Sequence, residues 1–310
     1  HAAVRLAGVH ALAHLADDAP PGREDLVQMV IDVLCAYLRM PYTPAPDPLP
    51  AWPSEEERAE HRDRELEFAS FREVRHTVIR VIGDRLREPT RWRGKNYDFT
   101  GAVFDGGDLT GAHFAGGKVY FVGARFTGGK VDFFGARFAG ATVDFNGAFF
   151  AGATVDFSGA RFTGGKVDFG AHFDGATVHF NEAHFASATV HFGTFDGATV
   201  DFTGAHFTGA TVHFTRTFFA GATVHFTRAR FTGGQVDFNG AALYDGGQVD
   251  FTGALFAGGQ VHFNAVFAGG QMDFTEARFT GATVDFARAA EMTAEVKNPR
   301  LMADMAVLSR

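Results

Sequence analysis

The sequence predicts a mainly β protein wound as a four-sided parallel β-helix, with helices before it. Three observations predict this. A 12-residue cycle runs from about Val119 to Phe286, as in Val131-Asp132-Phe133, Val143-Asp144-Phe145 and Val155-Asp156-Phe157. Before it the large apolar residues step by five: Phe99, Phe104, Leu109, Phe114, Val119. Two residues ahead of these positions stands Ala or Gly: Ala102, Gly107, Ala112, Gly117. A fixed short period signals stacked units that bury their faces only against neighbours.

Residues two apart on an extended segment point the same way. In Ala141-Thr142-Val143-Asp144-Phe145, Ala, Val and Phe therefore face inward while Thr and Asp face water. Ala136-Arg137-Phe138 makes a shorter side, and glycines supply the turns. A helix is excluded, since each Gly costs about 1 kcal/mol there and the spacing does not fit a period of 3.6. One unit cannot wrap around its own two Phe and one Val. Two units, roughly 24 residues, give one coil with four sides, and the array has seven or eight coils over about 40 Å.

These residues resemble the pentapeptide-repeat family over about Asn96 to Ala287. The run of fives carries the likeness, with Gly107-Asp108-Leu109-Thr110-Gly111 near the family's Ala-Asp/Asn-Leu-x-x word. The resemblance implies a right-handed quadrilateral β-helix, often dimeric through one end, with no catalytic residues. The chain departs from the pattern by two extra residues in every 12 and by Phe in place of Leu.

Three domains are expected: a helical region 1–93, the β-helix 94–287 and a capping tail 288–310. Val4 to Asp17 reads as a helix with Leu6, Val9, Leu12 and Leu15 at short helical spacing, ended by Asp17-Asp18 and Pro20-Pro21-Gly22. Arg23 to Met40 reads as a second, with Leu26, Val27, Val30, Ile31, Leu34 and Leu38 on one face and Glu24 and Asp25 at its positive end. Six prolines between Pro41 and Pro53 make a stiff extended connector. Ser54, with Glu57 three residues on, caps a long helix that buries Phe71, Val74, Val78, Val81 and Ile82 and ends near Arg87. Such helices would cover the open edge of the first coil, docking through Arg91 to Asp98 with Trp92 and Tyr97. The tail, with Met292, Val296, Leu301, Met302, Met305, Val307 and Leu308, is expected to be helical, capping the last coil or pairing two copies.

Three outward files are candidates for function. The middle residue of each Val-x-Phe triplet reads Asp132, Asp144, Asp156, Asp168, His179, His191, Asp201, His213, His225, Asp237, Asp250, His262, Asp273, Asp285. With two units per coil these stack as two columns on opposite sides, a candidate interaction surface. Stacked carboxylates repel, and interleaved His relieves this by protonating. No metal is expected, because a line of ligands does not converge. The second file precedes the short-side Phe and is basic: His113, Arg125, Arg137, Arg161, His172, His184, His206, Arg230, Arg278. The third is Thr142, Thr154, Thr177, Thr189, Thr199, Thr211, Thr223 and Thr283, whose neighbouring Asp or His spoils a flat Thr-x-Thr ice-binding face.

Net charge is -8, split as 13 basic against 16 acidic residues in 1–93 and 15 against 20 in 94–310, so a nucleic-acid footprint is absent and no direct nucleic-acid binding is expected. Cys35 is the single cysteine, which rules out a disulfide framework and suits a reducing, cytoplasmic compartment; it is expected to be buried. No apolar run reaches the roughly 18 residues of a membrane span. The chain opens at His1 inside a helical pattern, so an upstream segment is expected, and members of the family that begin with membrane helices make it a tether. Ser158, Ser187 and Ser309 lack a nucleophile context, and no phosphate-binding Gly motif is present. No enzyme and no cofactor are therefore expected. The expected function is a non-enzymatic scaffold that binds an unidentified protein partner, with a homodimer through the tail. The alternative, carried by the resemblance, is a DNA mimic that binds a type II topoisomerase such as gyrase. Register slips at Phe169–Phe173, Phe192–Phe195 and Phe263–Phe267, and the extra Tyr244, mark where a site would break the uniform wall.

Overall fold

The computed structural model describes residues 2–285 together with the strand Val296–Lys297. Three helices lead: α1 Ala2–Asp17, α2 Glu24–Arg39 and α3 Glu55–Arg87. From Tyr97 onward the chain winds through four parallel ladders in strict rotation. Thr142–Asp144, Phe149–Ala151, Thr154–Asp156 and Arg161–Thr163 make one coil, contributing in turn to the first, second, third and fourth ladder. Among the described residues the first and third ladders hold nine strands each, the second and fourth eight. The repeat along the first ladder varies from 22 residues, Tyr97 to Val119, to 25, Gln235 to Gln260. The two-unit coil deduced from the spacing is thus the observed one, and the parallel β-solenoid is the architecture that the pentapeptide-repeat resemblance implied.

The core is a set of homologous columns. Phe121, Phe145, Phe169 and Phe192 stack along the first ladder at 4.5, 4.9 and 5.4 Å. Phe133, Phe157, Phe180 and Phe202 do so along the third at 4.7, 5.0 and 4.7 Å. The two columns meet edge to face across the interior, Phe157 on Phe169 at 5.6 Å. Offset stacks and T-shaped contacts are the favoured aromatic geometries. Val143, Val155, Ala136 and Ala148 fill the remaining inward places and are fully buried. Corners need a left-handed residue. At Gly165 (φ +74) a Cβ would stand 2.2 Å from the Ala141 carbonyl oxygen, so no other residue fits.

The helices cover the first coil, as expected. Ser54 and Glu57 form the reciprocal capping box. α3 crosses so close to the third ladder that a Cβ on Gly83 would meet the Asp108 carbonyl oxygen at 2.8 Å. Trp92 and Tyr97 are fully buried at the junction, and Tyr97 Oη donates to the Trp92 carbonyl at 2.8 Å. Cys35 is buried, and burial pushes its thiol up to about 12. α1 differs from the expected face: Val9, Ala13 and Ala16 are buried while Leu15 is 52% exposed. Residues 6, 9, 12 and 15 step by three, which drifts around a helix of 3.6 residues per turn; the stripe at 9, 13 and 16 holds its direction. Phe71 is half-buried, with the Arg5 guanidinium 4.5 Å from its ring centroid. No described helix is long and apolar enough to cross a membrane.

All four irregularities flank the second ladder. At the first two, the strands Lys166–Asp174 and Thr189–Asp196 run through the corner unbroken, and their register shifts between Phe169 and His172. Tyr244 itself makes an isolated antiparallel bridge to Gly269. The expected helical tail at 288–310 lies outside the described residues except for Val296–Lys297, which is extended and pairs with Met272–Asp273 on the third ladder. Phe286 also lies outside them.

Candidate functional site

The Asp and His file divides between two ladders, as the two-unit coil requires. The first ladder carries Asp144, Asp168, His191, His213, Asp237, His262 and Asp285, continuing Asp98 and Tyr120. The third carries Asp132, Asp156, His179, Asp201, His225, Asp250 and Asp273, continuing Asp108. The aspartates have a local task. Asp144 Oδ1 accepts from the Asn146 N–H at 2.9 Å, Asp156 from Ser158 at 2.9 Å, Asp201 from Thr203 at 2.8 Å and Asp250 from Thr252 at 2.7 Å. The same two-residue bond recurs at Asp98, Asp108, Asp132, Asp168, Asp237 and Asp273. This is the Asx turn, a side chain standing in for a backbone acceptor. Burial raises the carboxyl of Asp201, yet hydrogen bonds from Thr203 and Asn181 prevail and hold it below the usual range.

The second carboxylate oxygens have neighbours too. Lys130 Nζ lies 2.7 Å from Asp132 and 3.0 Å from Asp156, and Lys166 Nζ lies 3.1 Å from Asp168. Further along, His225 faces Asp250 at 3.6 Å and His262 faces Asp285 at 3.6 Å. His191 and His213 stack with centroids 4.5 Å apart. Among the described residues no group of three or more His, Cys, Asp or Glu is arranged to hold a metal ion. The Thr file is likewise split between the first and third ladders and broken by Lys118, Lys130, Lys166, Gln235, Gln248, Gln260 and Gln271.

The basic file is better resolved than the sequence showed. Its members fall on two different ladders. The fourth holds His113, Arg137, Arg161, His184, His206, Arg230 and Arg278, interrupted only by Leu255. Arg125 and His172 belong to the second ladder, beside Phe149, Phe218 and Val266, which are 47%, 45% and 50% exposed. On the fourth ladder the second outward row is small: Ala115, Ala139, Thr163, Ala186, Thr208 and Thr232. Arg137, Arg161, Arg230 and Arg278 have no ion-pair partner among the described residues. His184 and His206 stack at 4.7 Å between Arg161 and Arg230.

One polar cluster lies where sequence reasoning did not look. Asp105, 9% exposed, accepts from Tyr42 Oη at 2.9 Å, lies 3.0 Å from His76 Nε2 and pairs with Arg72 at 3.1 Å. Burial raises its carboxyl, and His76, Tyr42 and Arg72 together bring it below its ordinary value. It fastens connector, α3 and first coil at one point. The signal was available in Arg72, Arg75 and His76, which share one helical face at spacings of three and four.

No family model and no curated protein matches the chain. Among solved structures, that of QnrB1, a plasmid-mediated fluoroquinolone resistance protein, covers 59% of this chain and 94% of its own at 18% identity, with a TM-score of 0.14. The fold rests on the ladders themselves and not on that overlap.

Proposed function

We propose that the protein is a non-catalytic interaction rod that presents long charged files to a protein partner in the cytoplasm. One observation carries this reading: the fourth ladder carries four arginines, Arg137, Arg161, Arg230 and Arg278, without ion-pair partners among the described residues, whereas ten aspartates of the first and third ladders are tied into turns. The Asp and His columns, which adjoin this row on the first and third ladders in chain order, frame it. Uncompensated surface charge of one sign steers and orients a partner of the opposite sign. The small outward row offers no aromatic platform for bases, so the partner is an acidic protein surface. The test is fluorescence anisotropy with a labelled deca-glutamate peptide. Saturable binding at low salt is expected, weakened at least tenfold in an Arg137→Gln/Arg161→Gln/Arg230→Gln variant of unchanged fold. No binding by the parent protein, or equal binding by the variant, refutes it.

A second reading has its own observation. Asp98, Asp144 and Asp168 on the first ladder and Asp108, Asp132 and Asp156 on the third concentrate carboxylates in the amino-terminal half. A duplex mimic acting on gyrase would use them. Against it, Arg39, Arg87, Lys130 and Lys166 pair with Asp98, Asp108, Asp132 and Asp168. Unchanged DNA supercoiling by gyrase at micromolar protein removes this reading; inhibition abolished by Asp144→Asn/Asp168→Asn establishes it.

A further inference from the structure

Away from the charged files, a cavity of about 310 Å³ opens where α1, α2, the Pro-rich connector and α3 meet. Four aromatic rings line it, from Tyr37, Tyr42, Phe68 and Phe71. Three guanidinium groups reach it, from Arg5, Arg72 and Arg75. Arg75 is the informative one. It is only 7% exposed. It donates a single hydrogen bond, from Nη2 to the Val103 carbonyl at 2.6 Å, and lies 5.3 Å from the Tyr42 ring centroid. A guanidinium has five N–H donors, so most of this one's donors have no protein acceptor. Asn264 Oδ1 is the sole sealed side-chain polar atom without a partner among the described residues. The remaining Arg75 donors are therefore not sealed in protein, and they open on the cavity the residue lines.

Charge is also out of balance there. Asp105 is the nearby carboxylate, and Arg72, His76 and Tyr42 already occupy it. Burial lowers the Arg75 guanidinium from its ordinary value, with Asp105 acting in the opposite sense. A buried charge normally has a counter-ion. Cavities of this size with apolar walls and a few convergent polar groups are the usual form of small-ligand sites.

We propose that this junction binds a small organic anion: a carboxylate or comparable monoanionic group held by Arg75 and Arg72, attached to an apolar aromatic body that lies against Tyr37, Phe71 and the edge-to-face pair of Tyr42 and Phe68. The bound molecule would tie the connector to α3 and so to the first coil. The occupant is an anion because the unsatisfied groups are all donors, and it is amphipathic because the rest of the wall offers rings.

The probe is 1-anilinonaphthalene-8-sulfonate, followed by its fluorescence, with the uncharged N-phenyl-1-naphthylamine as comparison. The parent protein is expected to bind one equivalent of the anion with a Kd on the order of 10 µM and the uncharged amine at least tenfold more weakly. Arg75→Met, which keeps an unbranched apolar stem and removes the guanidinium, should weaken the anion at least tenfold. Phe68→Trp, which fills the cavity and leaves every charge in place, should do the same and covers the case in which Arg75→Met does not fold. Equal affinity for the two probes, binding without a one-to-one end point, or an unchanged affinity in Phe68→Trp overturns the proposal. None of these results depends on the deca-glutamate experiment, which addresses a different face.

Discussion

Asp201 stands for the ten aspartates that hold corners. Its Oδ1 takes the Thr203 N–H and its Oδ2 takes the Asn181 side-chain amide at 2.7 Å. Asp201→Ala should cost about 1 kcal/mol, the net worth of a hydrogen bond, whereas Asp201→Asn keeps the acceptor and should cost much less; urea denaturation separates them, and equal losses would mean that charge, not the turn, matters. Because the folded carboxyl is held below its unfolded value of 3.8, this contribution is complete above that value and is lost as pH falls through the folded pKa. The words Asp144-Phe145-Asn146-Gly147 and Asp201-Phe202-Thr203-Gly204 are legible as Asx turns. The periodicity showed only that Asp faces outward, because alternation fixes direction and says nothing about local bonds. The turns at His213 and His225 lack both devices, for Arg216 and Arg228 adopt φ of 60° and 57° where Gly is usual. Arg228→Gly should therefore raise stability by about 0.5 kcal/mol, the left-handed strain relieved less the entropy Gly loses on folding.

Elements built on one strong period were legible; those built by convergence were not. α2 buries Val27, Val30, Ile31, Leu34 and Leu38 as its spacing predicts. The junction cluster around Asp105 joins residues 29 to 63 positions apart, and no local pattern encodes that. The ladders add a property that single residues lack. On the fourth, burial, then His206 and Arg161, hold His184 below its ordinary 6.5, with Glu182 opposing. On the first, burial and then His213 do the same to His191, with Asp168 opposing and Lys166 assisting. The unfolded chain thus binds more protons near pH 6 than the folded one, so stability rises with pH through this range. It should be fully present above about pH 7 and decline as pH falls through 6.5. Melting temperatures at pH 7.5 and 5.5 measure the slope, and His184→Gln/His191→Gln should flatten it.

The whole molecule is quasi-one-dimensional: each coil touches only its neighbours, and the helices hold one end. Stability is then a sum of coil terms and interface terms, and a weak interior coil can uncouple the two halves. Phe180 lies mid-rod, stacked on Phe157 at 5.0 Å and Phe202 at 4.7 Å and edge-on to Phe169 at 5.3 Å. Phe180→Ala should cost about 3 to 5 kcal/mol, concentrated at two adjacent interfaces. Both tryptophans lie in the helical region or its junction; Trp92 is fully buried against the first coil and Trp52 is 94% exposed. Trp92 fluorescence therefore reports the anchored end, while far-ultraviolet circular dichroism reports every coil. In the parent protein the two should change together on heating. In Phe180→Ala the dichroism should fall first, as the distal coils unravel, with the fluorescence change following at higher temperature. Coincident transitions in the variant would show that the rod melts as one unit and that the helical cap does not stabilise the near half separately.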